Sequence, residues 1–118
     1  MGRITAAATA QIPAAAPILA VRSVRSALER RRVPCVAVSP LIGGRAVRGP
    51  ADRMLARLAG GTSPAHVAGC YTGLIDALVV DEDDDVSELD VQPIVTRTLM
   101  QDEESRRRVA EAALSVPA

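Results

Sequence analysis

"VPCVAVSPLIGGRAVRGPADRML", residues 33–55, runs from an apolar β-branched segment through a glycine and arginine loop into a helical pattern. Val33 to Val38 shows no polar alternation, which is the pattern of a strand covered on both faces in a parallel sheet. Ser39 to Pro50 then reads as a loop, and Gly49-Pro50 restarts the chain as a helix. Pro50 suits a first helical turn and Asp52 lies near its positive end. Ala51, Met54, Leu55 and Leu58 form an apolar side that stops at Gly60-Gly61.

Upstream, "PILAVRSVRSALERRR" (17–32) sets Ile18, Val21, Val24, Ala27 and Leu28 at helical spacing with arginines between them. Downstream, Ser63 as cap and Pro64 in the first turn open a short helix that runs to about Tyr71. Leu74 to Val80 is a second apolar run broken only by Asp76, "VQPIVT" (91–96) a third, and "QDEESRRRVAEAALSV" (101–116) a closing helix with Val109, Ala112, Ala113 and Val116 along one side. Between Asp81 and Val91 the sequence fits either a solvated loop or a helical turn starting at Asp85. The alternation predicts an α/β fold with a mostly parallel sheet and flanking helices.

A chain of 118 residues is about one domain. Phe and Trp are absent and Tyr71 is the only aromatic, so the core must be a thin one of Val, Leu, Ile, Met and Ala. Net charge is zero, yet ten arginines face two acids through Leu58 and four arginines face twelve acids from Ala59 onward. This asymmetry fits an anion-binding front half, or two halves that attract each other. Every basic residue is Arg, so placement rather than abundance carries information. Cys35 and Cys70 lack a CxxC spacing and read as reduced, small packing residues. No apolar run reaches the ~18 residues of a membrane span, and Gln11, Pro13 and Pro17 break the opening alanine-rich stretch. A cytoplasmic chain with neither membrane nor nucleic-acid partner is expected.

Ligands of open α/β sheets sit beyond the carboxyl ends of the strands, and Ser39, Gly43, Gly44, Arg45, Arg48 and Gly49 occupy that position. Gly43 and Gly44 let the backbone approach a phosphate and take positive φ, and Arg45 and Arg48 hold phosphate oxygens in fork geometry. The pattern matches neither GxxxxGK[ST] nor GxGxxG, so an ordinary turn is the competing reading. Asp81 to Asp85 offers oxygens to a divalent cation, with Asp81 the best single candidate. Successive carboxylates point different ways, however, so a solvated face competes and no metal ligand is assigned. His66 has no second His or Cys at ligand spacing and reads as a partly exposed helical histidine. No nucleophile with a base is recognisable, and no catalytic residue is assigned.

"PCVAVSPLIGGRAVRGPADRML", with "PILAV" before it and "GLIDALVVDEDD" and "VTRTLM" after it, resembles the C-terminal part of the 2-phospho-L-lactate transferase family of coenzyme F-420 biosynthesis. The likeness covers roughly Pro17 to Leu114, with Ser39-Pro40, Gly43-Gly44, Gly49-Pro50-Ala51-Asp52 and Thr98-Leu99-Met100 in family order. Arg45 and Arg48 stand where the family commonly has lysine. The resemblance implies part of a Rossmann-like domain over 17–118, after an unmatched Ala/Pro-rich start over 1–16. It also implies transfer of a phospholactyl or phosphoenolpyruvyl group from a guanosine-diphosphate-linked donor to a 7,8-didemethyl-8-hydroxy-5-deazariboflavin acceptor, with Mg2+ and release of GMP. The family's glycine-rich start and acidic metal ligands precede the region that matches, so the chain is expected to be an incomplete portion whose Mg2+ ligands lie elsewhere. A non-catalytic remnant, or a nucleotide-binding or interaction module, is the competing expectation. A sheet lacking its first strands leaves an edge open, which predicts a homo-oligomer or a partner-dependent chain.

Overall fold

The computed structural model describes residues 5–6, 19–47 and 49–116. Its elements are β1 (Thr5–Ala6), α1 (Arg22–Glu29), β2 (Val36–Val38), β3 (Leu41–Ile42), β4 (Arg45–Ala46), α2 (Ala51–Ala59), α3 (Pro64–Gly69), β5 (Ala77–Asp81), β6 (Gln92–Thr96) and α4 (Glu103–Leu114). Strands β1, β2, β5 and β6 form one sheet in that order, every pairing parallel. The predicted α/β fold with a parallel sheet and flanking helices is thus the observed one.

Strand β5 decides the architecture because all five of its residues are buried. Leu78 and Val80 face one layer, where they pack with Leu28 of α1, Leu55 of α2 and Val67 of α3. Ala77 and Val79 face the other, against Val109 and Ala113 of α4. Two covered faces remove the need for polar alternation, and each fully buried Leu or Val contributes about 1.5–3 kcal/mol.

Caps and breakers set the boundaries. Strand β2 begins at Val36 rather than Val33, because Pro34 has no N–H for a ladder. Strand β5 begins at Ala77 rather than Leu74, since Asp76 holds Arg31 at 2.9 Å and accepts from the N–H of Cys35 at 2.8 Å. Helix α1 is shorter than 17–32 and ends where Arg31 Nη1 donates to the Leu28 carbonyl at 2.7 Å; Pro17 and Ile18 lie outside the described residues. Helix α2 stops at Gly60, which takes the left-handed conformation. Ser63 caps α3 and Asp102 caps α4, each within a capping box.

Several expected burials do not occur, among them that of Ala27, which is exposed. Val21 and Val24 are exposed, because α1 reaches the core only through Leu28, with Leu19 just before the helix. Leu58 is 73% exposed, since α2 docks through Ala51 and Leu55 and its last turn projects beyond them. Cys35 is buried as expected, but Cys70 is exposed at the end of α3, where its Sγ reaches only the His66 carbonyl at 3.5 Å. No helix among the described residues is long and apolar enough to cross a membrane.

Candidate functional site

The stretch after β2 folds into a small antiparallel hairpin. Leu41 pairs with Ala46 and Ile42 with Arg45, with Gly43 and Gly44 as the two turn residues. Both take positive φ, +60° and +79°, which a two-residue hairpin turn of matching twist demands and glycine alone adopts without strain. Ser39 Oγ opens the hairpin by accepting the N–H of Leu41 at 3.2 Å. Since Leu41 is fully buried, its ribbon face points to the core, and Ile42 and Arg45 share the opposite face.

That opposite face borders a cleft of about 660 Å3 at the carboxyl end of the sheet. On one side stand Ser39, Pro40, Ile42 and Val47, and on the other Thr98 to Gln101 with Arg106 of α4. The lining mixes apolar walls with a few polar groups, which is the usual composition of small-molecule sites. Arg106 makes no ion pair among the described residues, and Gln101 precedes a helix start whose Asp102 carboxyl is held below its usual range by the Ser105 N–H and hydroxyl.

Beyond Asp81, the last residue of β5, the segment from Glu82 to Asp90 is a series of turns and bends with no helix. Asp81 is 3% exposed, and its oxygens accept from the Thr98 N–H at 2.9 Å, the Thr98 hydroxyl at 3.1 Å and the Asp83 N–H at 3.0 Å. Asp84 reaches across to the hairpin, where its Oδ1 accepts the Gly44 N–H at 2.7 Å. Burial raises the Asp84 carboxyl above its usual range, helped by the charges of Asp81 and Asp83, against the pull of the Gly44 and Gly43 amides. No group of three or more His, Cys, Asp or Glu side chains among the described residues could hold a metal ion. His66 is spent locally: its Nδ1 lies 2.6 Å from Ser63 Oγ and its ring packs against Gly61.

Of the six residues singled out in the sequence, Ser39 lines the cleft, Gly43, Gly44 and Arg45 form the hairpin beside it, and Gly49 is exposed just before α2. Arg48 lies outside the described residues. Gly44's N–H is engaged by a carboxylate of the chain itself. Thr98 to Gln101 and Arg106 escaped assignment, although Thr98-Leu99-Met100 stood in the motif; their position one strand beyond an apolar run was the available signal.

No family model matches the chain. A 2-phospho-L-lactate transferase of Methanococcoides burtonii is 31% identical over 105 residues, covering 85% of this chain and 34% of that protein. A phosphoenolpyruvate transferase of Streptomyces griseus is 36% identical over 105 residues, covering 84% of this chain and 33% of its own length. The chain resembles a part of the 2-phospho-L-lactate transferase family. A third transferase of this kind, from Methanosarcina acetivorans, is 34% identical over 80% of the chain and 32% of its own length. The chain spans about a third of the length of the curated transferases it matches, consistent with the C-terminal part to which its motifs point.

Proposed function

We propose that this chain supplies the donor-phosphate side of a transferase that moves a phospholactyl or phosphoenolpyruvyl group from a guanosine-diphosphate-linked donor to a deazaflavin hydroxyl in coenzyme F-420 biosynthesis. The observation that carries this reading is the coincidence of the matched motifs with the cleft. Ser39-Pro40 and Thr98-Leu99-Met100, distant in sequence, meet as its two walls at the end of the sheet where α/β proteins bind ligands.

In such a reaction the acceptor hydroxyl oxygen bonds to the phosphorus that carries the lactyl or enolpyruvyl group, its proton passes to solvent, the bridging P–O bond to that phosphorus breaks, and GMP leaves. The protein's contribution to a displacement of this type is mainly position and charge. Arg45 follows the glycine turn on the hairpin face shared with Ile42 and Arg106 stands on the facing wall, so each side of the cleft has a guanidinium group at hand for phosphate oxygens. Ile42, Val47, Leu99 and Met100 give flat rings an apolar surface and exclude water from the phosphates. The described residues do not fit a Mg2+ site, because Asp81's oxygens are committed to Thr98 and Asp83 and no three ligands converge.

Calorimetric titration of the chain with GDP tests the reading. Charge-assisted bonds to phosphate contribute about 1.5–3 kcal/mol each, so joint replacement of Arg45 and Arg48 by Ala should nearly abolish binding. A parent chain that takes up no GDP, or a double variant that binds as tightly as the parent, refutes it.

A further inference from the structure

The walls of the cleft come from segments far apart in the chain, and a single acidic turn touches both. The turn closes where the Asp84 N–H donates to the Asp81 carbonyl at 3.0 Å, directly at the end of the central strand β5. Asp81 points into the fold and takes two hydrogen bonds from Thr98, the first residue of the wall that continues through Leu99, Met100 and Gln101. Asp84 points to the hairpin and takes the Gly44 N–H. The hairpin itself has only two residues per strand, too few to fix its own position on the sheet. Its other anchors are Leu41 in the core and the approach of Gly44 to Thr62.

We propose that the turn from Asp81 to Asp84 is a clamp that sets the spacing of the cleft walls, with Asp81 positioning the Thr98 wall and Asp84 positioning the glycine hairpin. This rests on the reading of the cleft as the nucleotide site only for its effect on binding; the clamp itself stands on the hydrogen bonds. It gives the acidic run a role that uses its geometry rather than its charge. Both carboxyls act as acceptors from groups on separate walls, and the backbone of one short turn fixes the distance between them. Oδ2 of Asp84 is buried with no hydrogen-bond partner among the described residues, so the side chain is held for the bond that Oδ1 makes. An Asn there keeps a carbonyl oxygen for Gly44 and removes the charge.

Asp84→Ala and Asp84→Asn separate the clamp from a general loss of structure. In the 118-residue chain, Asp84→Ala should speed amide hydrogen exchange at Gly44 on the order of tenfold and leave Thr98 protected, while Asp84→Asn keeps Gly44 at the parent level. Asp81→Ala should release Thr98 instead. GDP affinity should fall on the order of tenfold in Asp84→Ala and return to the parent value or better in Asp84→Asn, with the two variants melting within a few degrees of each other. Unchanged Gly44 exchange in Asp84→Ala overturns the clamp, and so does a loss of GDP affinity that Asp84→Asn fails to restore. If the parent takes up no GDP while Gly44 and Thr98 respond as stated, the clamp stands and the nucleotide reading fails.

Discussion

Gly43 and Gly44 sit side by side in one turn, yet their surroundings differ, and alanine at each should have unequal consequences. A left-handed backbone costs an L-residue about 1–2 kcal/mol, and loss of glycine's freedom in the unfolded chain returns about 0.4–1 kcal/mol. Nothing lies within 4 Å of a Cβ built on Gly43, so Gly43→Ala should lose only that difference, about 0.5–1.5 kcal/mol. A Cβ on Gly44 meets the Thr62 carbonyl at 3.3 Å, and the turn must shift away from an amide bond to Asp84 of 2.7 Å. Hydrogen bonds to a charged group contribute about 1.5–3 kcal/mol, so Gly44→Ala should cost about 2–4 kcal/mol in all. At roughly 4 °C per kcal/mol for a chain of this size, the melting temperature should fall by about 2–6 °C for Gly43→Ala and about 8–16 °C for Gly44→Ala. Calorimetry on the two variants decides the matter. Equal shifts would refute the role of Thr62 and Asp84, and two negligible shifts would refute the positive φ at both positions.

Leu78, fully buried on the central strand, should lose about 2–5 kcal/mol on replacement by Ala, read from urea denaturation; a loss below 1 kcal/mol would mean that the layer over β5 collapses into the space. At Asp76, burial works to raise the carboxyl, but the Cys35 N–H and the Arg31 guanidinium outweigh it and hold the group below its usual 3.8. Its contribution to stability is therefore complete above that value and is lost as pH falls through the lower folded one, so Asp76→Asn should flatten the acid limb of a stability–pH curve and lower stability at neutral pH.

Much of this fold was legible in the sequence because its signals are local. The run before Ser39 and the run ending at Val80 are apolar without alternation, and burial on two faces is the one arrangement of a strand that requires it. Ser63-Pro64 and the acids before Arg106 announce helix starts through orphan N–H groups that lie within a few residues of their caps. The hairpin was not legible as strands, since two residues carry no period, although its glycine turn was. Val21, Val24 and Leu58 misled because spacing reports that a helix has an apolar side and is silent on whether another element covers it. The facing wall of the cleft was only half legible: Thr98-Leu99-Met100 stood out as a motif, but its meeting with Ile42 and Val47 depends on how β5 and β6 pair.

Strand β6 is the outer strand of the sheet among the described residues, and its ladder fixes which way each amide points. The Gln92 N–H donates inward to the Asp76 carbonyl, so by alternation Ile94 and Thr96 also face β5, while positions 93, 95 and 97 turn outward. Position 93 is proline. A foreign strand docking along this rim therefore finds one donor missing near its start and the exposed Arg97 charge at its far end. The rim that a parallel sheet leaves open is in this way a poor template for adding another strand, and crowded copies of the chain are steered away from zipping together there into fibres.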